Sequence, residues 1–365
     1  MSDEIYYWLA LSLVEGIGPI TAKRLITAFS TPEKVFQASI PELVSIEGLG
    51  LKTAKDIKSQ QVFSKADKEK IFIERHGVKV LHFLDSQFPS RLKDCPDAPF
   101  ILFTKGKCPC NEERILSIVG TRKISPYAHR VLDTFIDLLA HENVVVVSGM
   151  ASGVDTVAHR NVISHNGATI GVLGHGLHMI YPSTNKTLAK ETLEKGGLIT
   201  EYNSQSKIMP GHFPRRNRII AGISDAMLVV ETGTKGGAMI SANYAHQYKR
   251  QVFAIPGSVF SPQSDGCHLL IQQNKAKLIS HASQLLNIMG WSKSSRQKNI
   301  QTQLFPILTE PEQTVMKILQ NNPEIHIDSL TQQFNSLDYK LHEILLQLEL
   351  HGLILSLPGK RFRAI

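Results

Sequence analysis

The chain has 365 residues, 42% of them hydrophobic and 20% charged, with 40 Lys+Arg against 32 Asp+Glu and a formal net charge of +8. That composition is ordinary for a folded globular chain and excludes intrinsic disorder, a collagen repeat and a disulfide scaffold. The length corresponds to two or three domains. Cys95, Cys108, Cys110 and Cys267 read as plain thiols of a reducing compartment. No apolar run reaches the ~20 residues that span a bilayer. The opening Asp3-Glu4 is unlike a signal peptide, so the expected location is cytoplasmic, with no membrane partner.

The basic excess is localised. Residues 1–60 carry 6 basic and 7 acidic residues, residues 61–110 carry 9 and 6, residues 111–300 carry 20 and 12, and residues 301–365 carry 5 and 7. The third segment alone equals the excess of the whole chain, so an anionic partner is expected there.

In chain order, the first predicted element is a helical repeat over 1–64. Val14-Glu15-Gly16-Ile17-Gly18 is echoed by Ile46-Glu47-Gly48-Leu49-Gly50, each copy reading helix, Gly-x-Gly turn, helix. Such turns aim backbone N–H groups at a phosphate. The module resembles paired helix-hairpin-helix (SAM-like) motifs; with a slightly acidic balance, a purely packing role fits equally well. Residues 65–110 form a connector with short strands at Lys79–Phe83 and Phe100–Phe103, and Pro89, Pro96 and Pro99 exclude long helices.

From 111 to 280 strands and helices alternate. Strands are predicted at Ile115–Val119, Val144–Ser148, Thr169–Leu173, Leu198–Glu201, Ala226–Val230, Val252–Ile255 and Lys277–Ile279, with helices such as Tyr127–His141 and Ile240–Tyr248 between them. Continuous β-branched runs indicate strands buried on both faces. The fold class is therefore α/β, a Rossmann-like, mostly parallel, doubly wound sheet over 65–285. A polar linker is expected at 286–308. Three helices and a hairpin at Pro358-Gly359 then make a winged helix over 309–365, net acidic, with DNA-contacting, protein-contacting and structural roles all open.

In such sheets ligands bind beyond the carboxyl ends of the strands. Gly120-Thr121-Arg122-Lys123-Ile124-Ser125-Pro126 follows the first strand of the alternating region, with Ser125 as N-cap and Pro126 at the first helical position. Ser148-Gly149-Met150-Ala151-Ser152-Gly153-Val154-Asp155 follows the second, where Asp155 and His159 are placed to pair on one helix face. Lys186 lies after the third strand. Lys207 to Arg218 contains Phe213, Arg215, Arg216, Asn217 and Arg218 and no acid, the composition of a single-strand groove: cations for a backbone, an aromatic for a base. Glu231-Thr232-Gly233-Thr234-Lys235-Gly236-Gly237 is a further Gly-rich helix start. Neither a Rossmann fingerprint nor a P-loop is present, and no nucleophile–base pair or metal cluster shows, so no catalytic residue, metal or cofactor is expected. The loops suit holding phosphates.

These motifs closely resemble the DNA-processing protein A (Smf) family. The matching residues are Gly120-Thr-Arg122-x-x-Ser125-x-Tyr127, Ser148-Gly-Met-Ala-Ser-Gly-Val-Asp155, Tyr181-Pro182, Phe213-Pro-x-Arg216-Asn-Arg218, Lys235-Gly-Gly-Ala-Met, Phe253-Ala-Ile-Pro-Gly257 and Gly266-Cys-His-Leu-Leu-Ile271. Lys235 departs from the small residue expected there, and Cys267-His268 from Thr-Asn. The resemblance implies a non-enzymatic, dimeric recombination mediator of natural transformation that binds single-stranded DNA and loads RecA. It implies that Arg122 clamps a phosphate or base edge, that Arg216 and Arg218 line the pocket, and that Gly120, Ser125, Ser148 and Gly149 give backbone or hydroxyl contacts. Lys186 and Lys235 are added on charge alone. The alternative is a nucleoside-monophosphate phosphoribohydrolase-like enzyme, for which Glu231 is the candidate carboxylate.

Overall fold

The computed structural model describes residues 3–292, 308–322, 324–334, 338–351 and 353–364. They divide into two compact units, meeting in the chain between Ser292 and Lys293.

The first unit opens with helices Asp3–Ser12, Pro19–Phe29, Pro32–Gln37, Ile40–Val44, Leu51–Ile57 and Gln60–His76. The two repeat turns hold Gly16 at φ +85° and Gly48 at φ +84°, the left-handed region that a side chain resists. Ser39 and Glu42 cap one short helix reciprocally. Trp8, Leu9, Leu25, Leu43 and Ile57 form the core of this module, and the same core takes in Val80, Phe100, Ile101 and Phe103. The helical module therefore shares its apolar core with the start of the sheet.

The sheet has nine strands: β1 Lys79–His82, β2 Ile101–Gly106, β3 Ile115–Val119, β4 Val145–Ser148, β5 Thr169–Val172, β6 Gly197–Thr200, β7 Ala226–Val229, β8 Gln251–Ala254 and β9 Lys277–Leu278. Their order is β1-β2-β6-β5-β4-β3-β7-β8-β9. β3 to β9 run parallel, and β1 and β2 add an antiparallel edge. Successive residues of β3 and β4 enter opposite cores. Ile115, Val119, Val145 and Val147 pack on one face, and Leu116, Ile118 and Val146 on the other. Two buried faces are why these strands read as unbroken apolar runs. The chain winds from β3 out to β6, then returns to β7 on the other side of β3, which opens a crevice between β3 and β7 at their carboxyl ends.

Helix Ala282–Met289 closes the unit, with Leu285, Leu286 and Trp291 buried in the core. The segment 286–292, expected as linker, is thus packed structure, because Leu286 and Trp291 supply apolar area that the sheet buries. The rest of that linker, 293–307, lies outside the described residues. All four cysteines are free thiols. Among the described residues no helix is long and apolar enough to cross a membrane.

The second unit holds helices Glu310–Gln320, Ile327–Phe334 and Asp338–Leu350, and strands β10 Ile325–His326, β11 Ile354–Leu357 and β12 Arg361–Ala364 in the order β10-β12-β11. Val315, Leu319, Leu330, Leu341, Leu345 and Leu348 make its core. This is a winged helix. The extra strand β10 is two residues long, too short for an alternating pattern to announce it.

Candidate functional site

A cavity of about 300 Å³ occupies the switch point between β3 and β7. Its wall includes Gly120, Thr121 and Arg122 from the β3 loop, Ala151 and Asp155 after β4, Phe213, Arg216 and Asn217 from helix His212–Ile223, and Thr232, Gly233, Gly236 and Gly237 after β7. The loops are tied to one another. Thr121 N–H donates to Glu231 O at 2.6 Å, and Val154 N–H donates to Thr121 O at 3.1 Å. Gly120 is needed for this fit: a Cβ there would lie 2.5 Å from Val154 Cγ2.

Ser125 caps helix Pro126–His141, its hydroxyl accepting from Ala128 N–H at 3.1 Å. Its own N–H donates to Glu231 Oε2 at 3.1 Å. Helix Gly237–Gln247 starts on the cavity wall from Gly236 with no side-chain cap, leaving its first N–H groups available to an anion. Arg122, Lys123 and Lys235 are exposed on the surrounding loops, and none has an acidic partner among the described residues.

The basic run 207–218 does not present all its cations to one groove. From His212 onward it is helix, so Arg216 points away from Arg215 and Arg218, which lie three residues apart on one face. Arg216 is 5% exposed and forms part of the cavity wall from within. Its guanidinium donates to Gly149 O at 2.6 Å, to Val172 O, and through Nε to Asn217 Oδ1 at 3.2 Å. Burial lowers its pKa to about 10, opposed by the charge of Asp155, while Arg122 lowers it further. Burial likewise pushes the Asp155 carboxyl up, against Arg216 and the N–H groups of Ala151 and Gly149. Arg218 is 3% exposed and paired with Glu201; Arg215 sits 3.7 Å from the other oxygen of the same carboxylate. Neither Arg215 nor Arg218 lines the switch-point cavity; Arg215 lines a separate small cavity with Glu201 and Tyr202.

The remaining expected residues separate in the same way. Ser148 is buried, its hydroxyl donating to Ile118 O at 2.6 Å, so it faces the neighbouring strand. Gly149 backs onto Arg216, whose guanidinium a Cβ would meet at 2.6 Å. Lys186 opens helix Lys186–Lys195 and is not on the cavity wall. Phe213 is on the wall, 5.7 Å from the Tyr181 ring. Asn217 Nδ2 donates to Gly237 O at 3.2 Å, tying the arginine helix to the Gly-rich one. Asp155 and His159 do not pair with each other: Asp155 accepts from Gly149 and Ala151 N–H, and His159 Nδ1 lies 2.7 Å from Thr169 Oγ1. Thr121, Ala151 and Ser241 are wall residues that sequence reasoning did not single out. Glu231, the carboxylate of the enzymatic alternative, is buried, bound to Ser125 N–H and absent from the wall.

Residues 79–290 match the family model described as DNA recombination-mediator protein A. Residues 9–60 match a SAM-like helix-hairpin-helix tandem, and 301–360 the DprA winged helix domain. The chain is 36% identical over 296 residues to Protein Smf of Synechocystis sp., covering 79% of this chain and 73% of that protein. It is 38% identical over 203 residues to DNA processing protein DprA of Streptococcus pneumoniae, covering 56% of this chain and 71% of that protein. The X-ray structure of the S. pneumoniae protein superposes with a TM-score of 0.65 at 28% identity, covering 79% of this chain and 98% of that one. DNA processing protein A from Helicobacter pylori, whose structure is described for its single-stranded DNA binding mode, gives a TM-score of 0.53 at 28% identity, covering 58% of this chain and 95% of that one. With more than half of its length matched by one family model and its winged helix by another, the chain belongs to the DNA recombination-mediator protein A (DprA/Smf) family.

Proposed function

We propose that this chain is a single-stranded-DNA-binding recombination mediator that acts as a homodimer in the cytoplasm, protecting DNA taken up in natural transformation and helping to load RecA onto it. The observation that carries the reading is the switch-point cavity, which joins an uncapped helix N-terminus to a rim of cations without acidic partners among the described residues. Arg122, Lys123 and Lys235 would neutralise phosphates, the N–H groups at Gly237 would receive one, and Phe213 would stack on a base. Arg216, Asn217, Gly120, Gly149 and Ser125 hold the loops that present these groups. The RecA and dimer parts rest on membership of a recombination-mediator family.

The geometry favours binding over N-glycosidic hydrolysis. Glu231 serves a backbone N–H, and Asp155, the carboxylate that does line the cavity, is held by two. The test is fluorescence anisotropy with labelled single- and double-stranded oligonucleotides, with and without RecA, beside an assay for ribose 5-phosphate release from AMP. Tight single-strand binding without AMP turnover is expected. Turnover that disappears in Glu231→Gln would overturn the reading.

A further inference from the structure

Phe213 sits in the cavity wall, yet a more exposed aromatic stands on the same side of the sheet. Phe260 is 93% exposed and its neighbour Val259 is 76% exposed, the two most exposed large hydrophobic side chains among the described residues. They form the tip of the 256–264 connection that leaves β8, the strand beside β7, so the tip stands at the carboxyl end of the sheet, as the cavity does.

The connection is pinned. Tyr127 Oη donates to Pro256 O at 2.6 Å, and His268 Nε2 lies 3.1 Å from Gly257 O. Ser261 N–H donates to Ser258 O at 3.0 Å, Phe260 N–H to Ser258 Oγ at 3.2 Å, and Ser264 N–H to Ser261 O at 2.9 Å. Its base also touches the cavity wall. Gly266 N–H donates to Thr232 O at 2.9 Å, and a Cβ on wall residue Gly233 would lie 3.6 Å from Pro262 O. Phe260 is two residues from Pro262, a reach of roughly 7 Å of chain. Residues 256–263 contain no acid, and the adjoining 232–236 loop carries Lys235.

A flat π-face beside a cationic rim is how single-strand binders receive bases. A two-residue tip flanked by Ser258 and Ser261 is far smaller than the roughly 800 Å² per partner of a stable protein interface. We propose that Phe260 is a stacking platform for an unpaired nucleobase, a second base contact outside the cavity for a strand whose phosphate the cavity holds. This rests on the single-strand reading above.

The test uses the full chain, an oligo-dT and an abasic oligonucleotide of equal length. Phe260→Ala is expected to bind oligo-dT about tenfold more weakly, since stacking is base-dependent, with unchanged salt slope and unchanged affinity for the abasic strand. Phe260→Trp is expected to keep its affinity and to be quenched by oligo-dT but not by the abasic strand, the native Trp8 and Trp291 being only 1% and 7% exposed. Equal binding of oligo-dT by the Ala variant and the unaltered chain overturns the proposal, as does an equal loss for both strands. Dissociation of a dimer by Phe260→Ala without any change in DNA affinity also overturns it, marking a self-association contact. Failure of the unaltered chain to bind any single strand removes the single-strand reading and this proposal together. Weakening by Arg122→Ala but not by Phe260→Ala removes the platform alone.

Discussion

The Arg216 guanidinium donates to the Gly149 carbonyl oxygen at 2.6 Å, and the same nitrogen donates to Val172 O, so one buried cation joins the ends of β4 and β5. Removing it leaves two buried acceptors and exposes Asp155 to an uncompensated environment. Arg216→Ala should therefore destabilise the fold by about 3–5 kcal/mol in urea denaturation. Arg216→Lys should recover only part, because an ammonium lacks the planar fork. Gly149→Ala, which sets a Cβ 2.6 Å from the same guanidinium, should cost about 1–3 kcal/mol.

Arg122 is the opposite case. It lines the cavity from an exposed loop and has no acidic partner among the described residues. Arg122→Ala should leave stability within about 0.5 kcal/mol. Single-strand affinity should fall, and the salt slope should flatten by about 0.7 for each phosphate that is no longer neutralised. Adding Lys123→Ala and Lys235→Ala should bring the total change toward about 2, read by anisotropy across a salt series. An unchanged slope in a folded triple variant would contradict the phosphate role.

Glu201 and Arg218 form a pair whose side chains are 8% and 4% exposed. Glu201→Gln keeps the shape but strands the Arg218 charge, with an expected loss of about 3 kcal/mol or more in melting or denaturant experiments. DNA affinity of the variant that remains folded should change little, since neither residue borders the cavity.

His159 is fully buried, and burial, with the charge of Arg216, holds its pKa down to about 3 from 6.5. The folded protein keeps it neutral while the unfolded chain protonates it below about pH 6.5. Its contribution is thus complete above that pH and is lost as pH falls from about 6.5 toward 3, at up to about 1.4 kcal/mol per unit. His159→Leu should flatten stability against pH in that window. His82, His175 and His212, also lowered by burial, should keep a residual slope in the variant.

The cavity and its cations lie wholly within the first compact unit, and residues 301–365 are net acidic. A chain lacking residues 301–365 should keep most of its single-strand affinity. A large loss of affinity by anisotropy would assign DNA contacts to the winged helix.

Much of the fold was legible because burial on both faces forces a local composition. β3 falls at Ile115–Val119 as expected, and β4, β5 and β7 begin or end within one residue of the apolar runs that announced them. The paired glycines of the N-terminal repeat and the Ser125-Pro126 helix start were equally local signals, each dictated by one backbone conformation. Gly120 and Arg122 stand out by their place at a strand end and Phe213 and Asn217 by the acid-free basic run 207–218, and the cavity wall includes all four.

Local composition thus carries the layering, the strand-end loops and the location of the basic excess. Which cations remain free to meet a ligand was decided only by the tertiary structure. Arg215, Arg216 and Arg218 are neighbours in sequence, but the helix turns Arg216 away from Arg215 and Arg218, which share Glu201. Glu201 neutralises Arg218 from 17 residues away, and Gly149, 67 residues away, engages Arg216. Burial makes those long-range pairings obligatory, because a guanidinium taken out of water must find acceptors wherever the fold brings them.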